Sequence, residues 1–282
     1  MEIGIFSNVY TGHTIEEGLT DIHKQGITQV QLNLSSLFGE MLPATLDEER
    51  LTAADRFAHA QGIRFVSLAG TFNLIAPDRE ERQEGIRRFE VLCRGAALLS
   101  IPVILLCTGS RNPASQWLWH EENASQAAWR DLLNGTERLL RLAERYDLTL
   151  GVEPEPSNVV SDPWRARAYL DEFYSPRLKI VLDGANFFRP ELVPEMGRVL
   201  EEGIDLLAED IIQAHAKDFL VAEDGTLTYT AAGKGILDYP RYLSLLRAHG
   251  FSGPLMLHGL TEDEVEASVR FVRGILDGQR LA

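Results

Sequence analysis

Eight short apolar runs with helical segments between them leave few folds open to this chain. They are Ile3–Phe6, Gln29–Leu32, Arg64–Leu68, Val103–Leu106, Thr149–Val152, Lys179–Leu182, Ile211–Ala214 and Leu255–Leu257. Between them, Glu80–Leu99, Ala127–Arg145 and Val265–Leu276 carry apolar residues at helical spacing. Such alternation builds βαβ units and therefore a parallel sheet. Eight units in 282 residues match an α/β fold of one closed (β/α)8 TIM barrel. No linker, low-complexity stretch or run of like charge divides residues 1–282, so one domain is expected.

Local punctuation agrees. Gly26, Gly62 and Gly250 each follow a helical segment and precede an apolar residue, where the chain needs positive φ. Asp162-Pro163 places a capping carboxylate before a proline at the first helical position. Thr45 with Glu48, and Thr261 with Glu264, have capping-box spacing.

Four of the late runs end in a residue that can ligate a metal or carry a proton: Glu153, Asp183, His215 and His258. Parallel strands are covered on both faces and read as continuously apolar. An ionisable group there must be paired, ligated or at the mouth of the sheet. One per strand, four in succession, predicts one cavity at one end of the barrel. Each residue also has a plainer reading. Asp183, before Gly184, suits a turn cap. A strand histidine is more often a satisfied core residue; for Glu153 the plainer reading, a solvated loop carboxylate, is the weaker of the two, and for Glu155 the two are even. His258 is a fourth ligand, an acid/base or a wall residue.

Nearby positions extend the candidate site. Pro154 and Pro156 end the strand, and Glu155, two residues beyond Glu153, points to a similar side. Lys217 shares a strand face with His215, and either holds a substrate oxygen or carboxylate or pairs with Asp218. The longest interval between strands holds an irregular insert, Thr108 to Asn123, with Trp117, Trp119 and His120. Inserts on this side of a barrel sit over the active-site mouth, so a lid or pocket wall is expected. The Gly233–Asp238 loop tempts a phosphate reading. Its spacing fits no nucleotide fingerprint, and Asp238 serves better as a helix cap.

Charge limits the partners. The net charge of −15 argues against a nucleic-acid groove, which needs a positive footprint, and against an anionic membrane surface. No apolar run approaches the roughly 20 residues of a membrane span. Two cysteines, Cys93 and Cys107, in apolar contexts suit buried thiols in a reducing cytosol, and the strand pattern at the N-terminus suggests no leader. A cytoplasmic protein is expected. Exposed barrel helices often pair, so a homo-oligomer is compatible.

The stretches GVEPEP, VLDGAN, HAKD with GKGILDYP, and GFSGPLMLH together resemble the xylose isomerase-like TIM-barrel superfamily, the sugar phosphate isomerases and epimerases. In that family a Glu, Asp, His and Glu on barrel strands five to eight hold one divalent metal. The resemblance implies this role for Glu153, Asp183 and His215. His258 stands where the family has its last glutamate, so the family's exchange of protons between two glutamates does not carry over, whereas a Glu/Asp/His/His metal site does. The EPEP stretch is also similar to the EPKP of xylose isomerases, with Glu155 in place of their lysine. GTFNLIAPD, with Phe72 and Asn73, and WLWHEEN are similar to pocket-forming loops; Asn186 follows the aspartate of VLDGAN.

The activity implied is metal-dependent isomerisation or epimerisation of a small sugar or polyol-derived ketone. One divalent ion (Mn, Co, Mg or Zn) suits the mixed oxygen and nitrogen donors. Glu153 is the candidate base and His258 or Lys217 the partner acid. Trp117, Trp119 and Phe72 are candidates to stack on the substrate, with Glu155, Asn186, His120 and Asn73 as further contacts. Alternatives are a lyase or dehydratase on the same site, a nuclease similar to endonuclease IV, and a sugar-binding barrel without catalysis.

Overall fold

The structure, a computed structural model, describes residues 1–278. The barrel strands are β1 (Glu2–Phe6), β2 (Gln29–Leu32), β3 (Arg64–Ala69), β4 (Val103–Leu106), β5 (Thr149–Val152), β6 (Leu178–Asp183), β7 (Ile211–Val221) and β9 (Pro254–Leu257). Each pairs in parallel with its neighbours, and β1 pairs with both β2 and β9, closing the ring. The principal outer helices are α1 (Ile15–Lys24), α3 (Glu48–Ala60), α4 (Arg79–Leu98), α5 (Gln126–Tyr146), α6 (Pro163–Phe173), α7 (Met196–Leu207), α8 (Tyr239–Ala248) and α9 (Val265–Gly278), with a one-turn α2 at Ser35–Phe38. This is a TIM barrel.

One strand differs from expectation. β7 runs on to Val221 rather than ending at Ala214, and its extension pairs antiparallel with β8 (Leu227–Ala231). Lys217 and Asp218 break the apolar run in the sequence. In the fold both are buried, because distant partners satisfy them.

The helix ends obey local rules. Gly26, Gly62 and Gly250 all have positive φ. Asp162 accepts from Arg165 N at 2.9 Å, and Asp238 accepts from Arg241 N at 3.0 Å. The Thr261–Glu264 box forms, leading through a short 3-10 turn into α9. The Thr45–Glu48 box does not. α3 is capped by Asp47, which accepts from Arg50 N at 3.0 Å. Asp47 lies directly before the first helical residue, where a cap must sit, and Thr45 is two residues too early.

Inside the barrel a polar belt lies beneath the mouth. Ser67 Oγ donates to Gln213 Oε1 at 2.9 Å, and Gln213 Nε2 donates to Gln31 Oε1 at 2.8 Å. Above it, β5 approaches its neighbours closely at Gly151, where a Cβ would lie 2.7 Å from Leu105 and 2.8 Å from Val181. Gly151→Ala is expected to lower stability by about 1–3 kcal/mol through overpacking. Urea unfolding of parent and variant measures it; an unchanged midpoint would show that the neighbours give way freely. Among the described residues no helix is long and apolar enough to cross a membrane.

Candidate active site

The C-terminal ends of β5, β6 and β9 meet the middle of β7 at one mouth. Glu153 takes the last rung beside β4, its N–H donating to Leu106 O at 3.0 Å. Pro154 then has no N–H to offer, and the strand ends. Asp183 closes β6 opposite His215, and His258 follows β9, its N–H donating to Ala216 O at 3.2 Å. One ligand atom from each of Glu153, Asp183, His215 and His258 can be chosen so that all lie within 4.8 Å of one another.

The contacts are those of a compact ionic cluster. His215 Nδ1 lies 3.1 Å from Glu153 Oε1 and 3.7 Å from Asp183 Oδ2. His258 Nδ1 lies 3.6 Å, and Lys217 Nζ 3.0 Å, from the same Asp183 oxygen. Lys217 donates to Asn186 Oδ1 at 2.8 Å, and Asn186 Nδ2 donates to Glu153 Oε1 at 3.2 Å. Lys217 therefore pairs with Asp183. Asp218 turns away and accepts from backbone N–H groups of the following loop.

The protonation states follow from these neighbours. Burial opposes charge on Asp183, but Lys217 and the two imidazoles outweigh it and hold the carboxyl well below its usual range. Burial would also raise Glu153; His215 outweighs it and lowers the group. His215 is held up at about 9 because Glu153 and Asp183 overcome its burial. Lys217 is likewise raised against burial, by Asp183 first and then Glu155 and Glu153. Burial lowers His258 despite the contact with Asp183. Burial, then the charge of Glu153, pushes Glu155 up to about 8. The thiol of Cys107, buried beside both glutamates, is pushed well up.

A divalent ion fits this donor set. His258 Nδ1 is buried, faces Asp183 Oδ2 at 3.6 Å and makes no hydrogen bond. A buried polar atom left in this way is costly unless something satisfies it. Two carboxylates and two imidazoles suit a borderline divalent cation. Beneath them, Gln213 Nε2 lies 3.4 Å from His215 Nε2.

The cluster floors a cavity of about 920 Å3. Glu153, Glu155, His215, Lys217, His258 and Trp117 all line it. Residues that carried no sequence signal join them. Phe6, at the end of β1, stacks on His258 with centroids 4.7 Å apart. Tyr229 of β8 covers Lys217, whose Nζ sits 4.0 Å from the ring centroid. Gln31, Asn33 and Thr71 also face the space. Only the polar end of β2 hinted at Gln31 and Asn33, whereas Thr71 belongs to the GTFNLIAPD stretch expected to form the pocket.

Other expected contacts lie elsewhere. Phe72 packs against Phe89 of α4, and a side chain at Gly85 would meet its ring, so it belongs to the helix–barrel interface. Asn73 is spent on the 108–123 insert, donating to Ser110 O at 2.8 Å and accepting from Ser110 N at 3.0 Å. His120 caps a 3-10 turn by accepting from Glu122 N, and Trp119 is half exposed. Neither lines the cavity. Asn123 and Asn158 fasten the same insert, and Gly109, with positive φ, leaves room for Asn73 where a Cβ would collide. The insert is thus clamped by three asparagines and contributes Trp117 as a wall.

The profile of one family, the xylose isomerase-like TIM barrel, matches residues 19–275. The chain belongs to that family. No curated protein matches it. Among solved structures, 3-keto-D-glucoside 4-epimerase from E. coli aligns at 15% identity and TM-score 0.75, covering 98% of this chain and 99% of its own. The IOLI protein with a bound zinc atom aligns at 17% identity and TM-score 0.73, over 98% and 96% of the two chains. Mannonate dehydratase from Streptococcus suis aligns at 13% identity and TM-score 0.75, over 99% and 93%. At such identities the likeness shows the barrel fold alone and leaves chemistry to the site.

Proposed function

We propose that this xylose isomerase-like barrel is a divalent-metal-dependent isomerase or epimerase of a sugar or polyol-derived ketone. The observation that carries this reading is the convergence of Glu153, Asp183, His215 and His258, three of them lining one cavity and Asp183 buried behind them, beside a buried lysine. Its fold neighbours include a sugar epimerase and a zinc-bound protein, which supports sugar chemistry and a metal. Glu153, Asp183, His215 and His258 would hold the ion, which when bound supplies Lewis acidity toward a chelated hydroxy-carbonyl.

The protein's own groups divide the remaining work. Glu153 faces the cavity as a carboxylate and serves as base for a proton next to the substrate carbonyl. Acid/base assistance of this kind contributes about 10²–10⁴-fold. Lys217 is gripped by Asp183 and Asn186, which favours a fixed cation for a substrate oxygen over a proton donor. His258, backed by Phe6, meets the cavity and is the candidate to return the proton when it is not a ligand. Trp117 offers an apolar face to the substrate's C–H side. Glu155 lies within reach as a further contact for substrate hydroxyls.

One observation also favours a lyase: His258 occupies the place of the family's last glutamate, so proton return and leaving-group protonation compete for one imidazole. Incubation of metal-loaded protein with ketoses in D2O separates them. Deuterium beside the carbonyl in an isomeric product supports isomerisation, whereas loss of water supports the lyase. No exchange with any ketose, metal present, would sink both.

His258→Ala distinguishes the two roles of that ring. If His258 ligates, the variant is expected to lose metal occupancy and turnover together. Full occupancy with turnover reduced by about 10²–10⁴-fold would assign proton transfer instead. Elemental analysis beside steady-state rates reads the difference.

A further inference from the structure

We infer that the cavity selects an uncharged sugar or polyol over its phosphorylated or carboxylated counterpart, an inference that rests on the isomerase reading of the site. In TIM barrels, phosphate groups are commonly held by the loops after strands seven and eight and by a short helix N-terminus there. Here the chain fills both places with its own carboxylates. After β7, Asp218 Oδ2 accepts from Gly233 N at 3.2 Å and Gly235 N at 3.0 Å. Its Oδ1 accepts from Phe219 N at 2.8 Å and Leu237 N at 2.9 Å. That glycine loop is an anion nest whose anion is built in. After β9, Glu264 Oε2 accepts from Thr261 N at 2.8 Å and Thr261 Oγ1 at 3.0 Å, and its other oxygen takes Lys234 Nζ at 2.7 Å. The lysine of the glycine loop is therefore consumed as well.

Outside the imidazoles of the metal cluster, the described cavity lining has a single cationic side chain. Among the described residues its lining holds no arginine and one lysine, Lys217. That ammonium already lies 3.0 Å from Asp183 and 2.8 Å from Asn186, beneath Tyr229. Against it stand Glu153 and Glu155 within and Glu262 and Asp263 at the rim. Glu153 and Asp183 balance a divalent ion. Glu262 and Asp263 then keep the entrance acidic, whether or not Glu155 holds its proton. An incoming phosphate would meet like-charge repulsion with no guanidinium and no unpaired ammonium to offset it. Hydroxyls suit the remaining wall. Asn8, Thr11, Gln31, Asn33, Thr71 and Ser157 carry amides and hydroxyls, groups that both donate and accept.

The test pairs D-fructose with D-fructose 6-phosphate, D-xylulose with D-xylulose 5-phosphate, and D-glucose with D-glucuronate, on metal-loaded full-length protein. In any pair with turnover the neutral member is expected to lead by about tenfold or more in kcat/KM. A phosphorylated or carboxylated member that matches or beats it overturns the inference. Replacing both rim carboxylates, Glu262→Gln with Asp263→Asn, is expected to narrow the gap by about threefold. A gap that does not move also overturns it. If no pair turns over, the isomerase reading fails by itself. Phosphorus NMR titration with inorganic phosphate then still decides charge selectivity: no saturable site is expected up to about 10 mM, and submillimolar binding overturns the inference.

Discussion

Asp183→Ala is expected to lower unfolding free energy by about 3–5 kcal/mol and to abolish turnover, because it strands a buried charge. Lys217 is 4% exposed and its ammonium lies 3.0 Å from Asp183 Oδ2. Without that carboxylate the ammonium keeps the Asn186 carbonyl, the Tyr229 ring and the weaker pull of Glu155 and Glu153. His215 and His258, which also face Asp183, lose the group that holds them together. Urea unfolding gives the stability change. A companion variant, Asp183→Ala with Lys217→Met, removes both charges and is expected to regain part of the stability while staying inactive. Equal stability of the single variant and the parent would contradict a structural role for the ion pair.

Glu153→Gln is expected to behave in the opposite way, costing function far more than fold. The amide keeps the volume and can still accept from Asn186, but it loses the charge that pairs with His215. Turnover is expected to fall by about 10²–10⁴-fold or more, since the base and a ligand disappear together. The ion reports on the cause. A ligand that binds only the native state stabilises it by about 2.7 kcal/mol at a hundred times its dissociation constant. Chelator is therefore expected to lower the parent's thermal midpoint, and manganese or zinc to restore it. The Glu153→Gln midpoint should respond weakly to either. If the variant takes up metal as the parent does, Glu153 is not a ligand, and its role reduces to proton transfer.

The two variants differ because of where each carboxylate stands. Asp183 is sealed behind Lys217 and both imidazoles, so its charge is part of the packing. Glu153 sits at the strand's end where the cavity begins, so its charge is available for chemistry. Residues 183 and 153 look alike in the sequence, each a carboxylate closing an apolar run. Their difference is one of depth, and depth is set by neighbours from other strands.

Much of the barrel could be read from the chain alone, because strand and helix signals are local. An apolar run between turn residues declares a buried strand without reference to distant partners. An ionisable residue at the end of such a run declares a strand mouth for the same reason. Capping was legible where side chain and N–H lie within one turn, as at Asp162 and Thr261. It misled at Thr45, where two capping types stood close together and only the backbone path chose between them.

The tertiary structure decided everything that depends on which distant residues meet. The carboxylate next to Lys217 in the chain is Asp218, but the register of β6 against β7 gave the lysine Asp183 and left Asp218 to the glycine loop. Phe6 became a wall for His258 because β1 closes the ring against β9. Phe72 went to the helix interface and Asn73 to the insert, although both stand beside a strand end like true lining residues. The physical reason is common to all of these. Hydrophobic periodicity fixes elements within a few residues, whereas ion pairing, stacking and cavity lining act through space between segments far apart in the chain.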